Sequence, residues 1–199
     1  MRFAAMQLQF GQLAEHEKKA FNLYKANSCF AREQCFADFM NQNLKDRRDM
    51  PPAWAEKMAT LDSIIEKGSL DCASTLFRAT VDRFVSPFIS DNELIYPAYM
   101  STALSEDAVR RHWSGHWRNI PAALLCVKCT SGQIALDLEV DPSFGGYEDE
   151  FLLPRNAKFI VSNVHDVTDR MEINRRMSEF YARSYSFLRV YELSYVGRT

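Results

Sequence analysis

The spacing of apolar residues in this chain changes period near residue 72, and that change sets its class. Before it, apolar positions recur at helical spacing: Leu13, Ala20, Phe21, Leu23 and Tyr24 fall among Glu15, Glu17, Lys18 and Lys19. A second stretch carries Phe30, Cys35, Phe36, Phe39 and Met40, then runs through the charge cluster Lys45-Asp46-Arg47-Arg48-Asp49 into Pro51-Pro52, a break. A third helix is predicted from about Ala53 to Lys67, with Trp54, Met58, Leu61, Ile64 and Ile65 as its apolar stripe and Gly68 as its stop. Beyond residue 72, short apolar or alternating runs are separated by turns: Ala73–Thr80, Glu93–Ser101, Ala122–Thr130, Gln133–Val140, Glu150–Leu153, Ala157–Val164 and Phe187–Val196. These read as strands. One helix interrupts them, from Ser105 to about Trp117, with Ser105 as N-cap and Glu106 and Asp107 in its first turn. Asp166–Tyr185 is charged and reads as helix or loop. The expectation is an α+β chain forming one domain over 1–199, with a helical subregion at 1–70 and a mainly β core at 71–199.

Bulk properties narrow the function. The net charge of −2 argues against a general nucleic-acid or anionic-membrane binder, though not against a local basic patch. No run approaches the roughly 18–20 apolar residues of a membrane span. The start, Met1 to Phe10, is too short and too polar for a signal-peptide core. Five cysteines, an odd number, fit reduced thiols and a cytoplasmic location.

Three strand-like segments each carry a polar group that invites a chemical reading. In Leu76-Phe77-Arg78-Ala79, an Arg within an apolar strand is costly unless it meets an anion, and its fork suits a phosphate or carboxylate. The bland alternative is an edge-strand Arg or an internal ion pair. In Tyr99-Met100-Ser101-Thr102-Ala103-Leu104-Ser105, hydroxyls end a strand just before a helix start and can serve a ribose or a carboxylate. Ser105 is better read as a cap, while Ser101 is open between the two roles. In Gly145-Gly146-Tyr147-Glu148-Asp149-Glu150, two carboxylates stand two apart, which in a strand puts both on one face with Asp149 turned away. Side-by-side carboxylates repel, so they need either partners or a task; a solvated acidic strand start is the bland alternative.

In this order the three segments resemble the Arg–Ser–Glu class of mono-ADP-ribosyltransferases. Arg78, Ser101-Thr102 and Glu148-Asp149-Glu150 match its motifs, and the run Phe151-Leu152-Leu153-Pro154 resembles the usual continuation of the last one. The resemblance covers roughly residues 73–164 plus a last strand at Phe187–Val196. Two positions depart from the pattern: Ala103 replaces the second Ser of Ser-Thr-Ser, and Ala79 stands where Gly is common after the Arg. The resemblance implies a mixed β-sandwich core, NAD as co-substrate, no metal, and transfer of ADP-ribose to a protein side chain with release of nicotinamide. It implies that Glu150 stabilises the sugar cation formed as nicotinamide leaves, that Arg78 clamps the diphosphate or a ribose, and that Ser101 orients Glu150. Thr102 would support the strand and Ala79 offer backbone contacts to nicotinamide. Glu148 would face the acceptor; a Glu there goes with arginine acceptors. The loop Pro142–Tyr147, with Phe144 and Tyr147, would contact the target. The resemblance is greatest to phage-encoded enzymes that modify host transcription or translation proteins, with effectors injected into eukaryotic cells as the alternative source.

Other signals compete. Cys126-x-x-Cys129 with His112 and His116 is a weak zinc pattern, because strand positions i and i+3 face opposite ways. Trp113 and Trp117 read as core, with a stacking wall for the nucleotide as the alternative. His165 reads as a surface loop residue. Two other functions remain in play: an NAD glycohydrolase that uses water as acceptor, which the retained Glu148 disfavours, and a non-enzymatic interaction protein on a degenerate scaffold, which the intact trio disfavours.

Overall fold

The computed structural model describes residues 10–25, 36–110, 112–113, 120–139 and 149–199. Three helices come first: α1 (Glu15–Lys25), α2 (Phe36–Lys45) and α3 (Pro52–Ile65). α1 starts with an acidic turn, and Glu17 Oε2 reaches back to accept from Ala14 N at 3.1 Å, satisfying an N-terminal donor that the helix itself leaves open. Its stripe of Ala20, Phe21 and Tyr24 is buried. α3 opens on Pro52, where the missing N–H costs nothing. Gly68 follows its end for a reason other than helix capping: its backbone is not left-handed, and a Cβ there would lie 2.4 Å from the carbonyl oxygen of Ala135.

Nine strands are found among the described residues: β1 (Ser74–Val81), β2 (Ile89–Ser90), β3 (Glu93–Tyr96), β4 (Met100–Ala103), β5 (Ala122–Cys129), β6 (Leu136–Asp137), β7 (Glu150–Leu153), β8 (Ala157–Val167) and β9 (Leu188–Arg198). Three short α-helices lie among the strands: α4 (Glu106–Val109), α5 (Arg170–Arg176) and α6 (Glu179–Ala182). The strands form one mixed sheet in the order β2-β3-β8-β9-β5-β1-β4-β7-β6. The β5–β9 pair is parallel and the others antiparallel. β1 meets β4 at a single register pair, Phe77 opposite Ala103, so the ladder is narrowest there. Leu76, Leu94, Met100, Leu125, Phe151, Phe159 and Leu193, drawn from both sides of that join, share one buried cluster. The two blocks thus close over a common core, and the α+β architecture with a mixed sheet is as the sequence implies.

The outer faces are covered separately. α1, α2 and α3 bury Phe21, Met40, Leu61 and Ile64 against Tyr99, Leu136 and Leu152. The short helices bury Val109, Ile173 and Ala182 against Ala103, Leu124 and Val190. Asp62 of α3 ties the helical layer to the sheet: Arg155 forks onto its carboxylate at 2.7–3.2 Å and Tyr99 Oη donates to it at 2.6 Å.

Several elements differ from the sequence expectation. The single strand expected over Glu93–Ser101 is two, because Pro97 has no N–H for the ladder. The strand expected at Gln133–Val140 shrinks to Leu136–Asp137. Of the helix expected from Ser105 to Trp117, Glu106–Val109 is helical among the described residues, and residues 111 and 114–119 lie outside them. Among the described residues no helix is long and apolar enough to cross a membrane.

Candidate active site

β1, β4 and β7 are neighbours in the sheet, and each carries one of the three motifs. Ala103 lies opposite Phe77 of β1 and opposite Glu150 of β7, so the motif residues arrive at one level of the sheet. Arg78 Nη1 donates to the backbone carbonyl of Ser101 at 2.6 Å. Ser101 Oγ in turn donates to Glu150 Oε1. Thr102 is 2% exposed and donates its hydroxyl to the carbonyl of Phe151 at 2.9 Å, holding β4 to β7 beside the site. Arg78 Nε is buried with no hydrogen-bond partner among the described residues. An unmet guanidinium donor is costly in a folded interior and calls for an acceptor.

Glu150 is the first residue of β7. Its backbone is pinned by Leu138 N donating to its carbonyl at 2.9 Å, and Leu104 N donates to the carbonyl of Asp149 at 3.1 Å. Asp149 has φ +49°, a left-handed conformation that Asp tolerates better than most residues. The strand begins at Glu150, and Asp149 before it is not extended. Glu148 itself, with Gly145, Gly146 and Tyr147, lies outside the described residues.

These groups line a cleft of about 570 Å³, in the size range of small-molecule sites. Arg78, Ala79, Ser101, Thr102, Ala103 and Glu150 form the sheet wall. Tyr24, Lys25, Asp38 and Asn41 come from α1 and α2, and His112 from the segment after α4. Sequence reasoning missed this helical wall. Lys25 Nζ pairs with Glu150 Oε2, a contact between residues 125 apart in the chain. Asn41 Oδ1 accepts from Tyr99 N at 3.1 Å and its Nδ2 donates to Tyr24 Oη at 3.2 Å, linking both helices to the strand of Ser101. Burial pushes the Tyr24 phenol well above its ordinary range, so it is neutral. The only linear hint of this wall is Asp38, Asn41 and Lys45, polar residues on one face of α2.

The competing signals fall into ordinary places. Cys126 packs toward the cluster under the short helices and Cys129 toward the central core, on opposite faces of β5. Burial raises both thiols, to about 11 and about 12. Among the described residues no three His, Cys, Asp or Glu side chains gather as a metal site, and His116 lies outside them. Trp113 is buried and donates its indole N–H to the carbonyl of Arg176 at 3.2 Å; it packs in the core and does not line the cleft. His165 is exposed, but on β8 instead of a loop. Ser105 is a cap, its Oγ accepting from Ala108 N at 3.1 Å.

No protein-family model matches the sequence, and no curated protein matches it. Solved structures do match. Plx2a, an ADP-ribosyltransferase toxin from Paenibacillus larvae, aligns at TM-score 0.61 and 19% identity, over 94% of this chain and 88% of that one. The C3 exoenzyme of Clostridium limosum aligns at TM-score 0.58 and 16% identity, over 94% and 89%. Exoenzyme S from Pseudomonas aeruginosa, solved with human 14-3-3 protein beta and carba-NAD, aligns at TM-score 0.61 and 14% identity, over 91% and 74%. At these identities the likeness is one of fold, and the fold of this chain is that of the mono-ADP-ribosyltransferase toxins.

Proposed function

We propose that the chain cleaves NAD between nicotinamide and ribose and transfers ADP-ribose to an arginine side chain of a target protein. The observation that carries this reading is the hydrogen-bonded series Arg78–Ser101–Glu150 in the wall of the cleft, on the fold just described. Arg78 lines the cleft, and a guanidinium there suits a diphosphate oxygen, which fits a dinucleotide to this site. Breaking the glycosidic bond leaves positive charge on the ribose, as in glycoside hydrolysis. Glu150, held in place by Ser101, is a fixed anion for that charge and needs little reorganisation to act. Thr102 keeps β4 and β7 in register, and Ala79 lines the cleft where a backbone contact to the amide is available.

The arginine assignment rests on the sequence, where Glu148 stands at the acceptor position of the resemblance. A guanidinium is protonated at all ordinary pH, so a carboxylate that orients it and takes its proton has an evident task. The test uses biotinylated NAD with bacterial and eukaryotic lysates, and mass spectrometry to map the modified residue. Modified arginines are expected. Glu148→Ala should lose transfer to protein while retaining some release of free ADP-ribose. Modification of another residue type, or full transfer by Glu148→Ala, overturns the acceptor assignment.

A further inference from the structure

The cleft holds a contact that the reaction as proposed does not use. Lys25, the last residue of α1, places its ammonium on Glu150 Oε2, while Ser101 occupies Oε1. The two side chains are only 10% and 18% exposed, so the pair is largely withdrawn from water and little screened. A surface pair of this kind would be negligible; this one is not. Resting on the reading of the cleft as an NAD site, the charges then conflict. The nicotinamide ring of NAD is cationic, and the adjoining ribose becomes so as the bond breaks. Both need the carboxylate that Lys25 already neutralises, and like charges sharing one carboxylate repel.

We propose that Lys25 is an internal competitor for the cationic half of NAD: an autoinhibitory contact that holds Glu150 in the substrate-free protein and must let go for nicotinamide riboside to seat. The four-carbon stem of a lysine allows that release without moving the sheet. A competitor of this kind lowers apparent affinity by the fraction of molecules in which the site is free. Its signature is charge selectivity, because a ligand with a neutral ring gains less from removing an ammonium.

Calorimetry with two ligands tests this: carba-NAD, cationic and not cleaved, and NADH, whose ring is neutral. Wild type is compared with Lys25→Met, Lys25→Gln and the charge-retaining Lys25→Arg, with thermal melting run alongside. The neutral variants should bind carba-NAD roughly tenfold more tightly than wild type, the gain expected if about a tenth of the molecules are free of the contact. They should change NADH affinity by less than about twofold, because its neutral ring makes no claim on the carboxylate and binds with the Lys25 contact in place, and Lys25→Arg should behave as wild type. Unchanged or weaker carba-NAD binding, or an equal shift for both ligands, overturns the competitor and leaves Lys25 as a pin between α1 and β7. If wild type and all variants bind neither ligand, the NAD reading of the cleft falls, and the competitor falls with it. Lys25→Gln retains most of the stem packing, so loss of fold in Lys25→Met does not remove the test.

Discussion

Both carboxylate oxygens of Glu150 are spoken for, and one of the donors, Ser101, is itself held through its backbone by Arg78. Loss of the Ser101 hydroxyl releases Glu150 Oε1, while Arg78, bonded to the backbone carbonyl, keeps its contact. Lys45 adds a charge close behind it. Its ammonium sits 3.9 Å from the ring centroid of Phe84, and burial, aided by repulsion from Arg78, lowers its pKa from 10.5 to about 8. Below pH 8 the folded and unfolded states both hold the proton, and the full cost of a buried cation is present. Between about 8 and 10.5 the folded state gives it up first, so Lys45 makes stability rise with pH across that window. Urea melts at several pH values should show this rise in the wild type and its loss in Lys45→Met, with the variant more stable than wild type at pH 7. A Lys45→Met profile identical to wild type would contradict it.

Asp62 gives the helical layer one of its polar ties to the sheet. Asp62 of α3 receives the fork of Arg155 and the hydroxyl of Tyr99, two residues before Ser101, and it is 9% exposed. Removing the carboxylate leaves Arg155 without its charge partner in a half-buried setting. Asp62→Ala should therefore cost roughly 3 kcal/mol of stability, read by urea unfolding, since breaking a buried pair from one side strands the other charge. A change under about 0.5 kcal/mol, the usual size for a surface site, would show the tie to be idle. Elements of this kind were unevenly legible. β1, β5 and β7 follow directly from their apolar runs, and Arg78 comes with β1 and Glu150 with β7, whereas Ser101 falls on β4, beyond the break at Pro97. The split at Pro97 was not legible because apolar periodicity does not register a missing ladder donor. The helical wall has only the polar face of α2 to announce it in the sequence. Lys25 and Glu150 are 125 positions apart, and nothing local to α1 distinguishes Lys25 from Lys18, which pairs with Glu15 on the surface.

For the whole molecule, the strand order explains why motifs scattered over 73 residues, from Arg78 to Glu150, make one site. β4 lies between β1 and β7, and the narrow join at Phe77–Ala103 lets the two blocks close over one core while the cleft opens beside it. The α1–α2 layer then supplies the opposite wall, so the N-terminal helices are part of the site as well as cover for the sheet. Sequence order anticipated the trio but not this enclosure, which depends on contacts that form only after the sheet is assembled. The central claim is that Glu150 in this cleft breaks the nicotinamide–ribose bond. Its most direct test is nicotinamide release from NAD by wild type and by Glu150→Gln, which keeps the shape and the Ser101 contact but removes the charge. The account predicts release by wild type and a loss on the order of a hundredfold or more in the variant. Equal release by both proteins would contradict it.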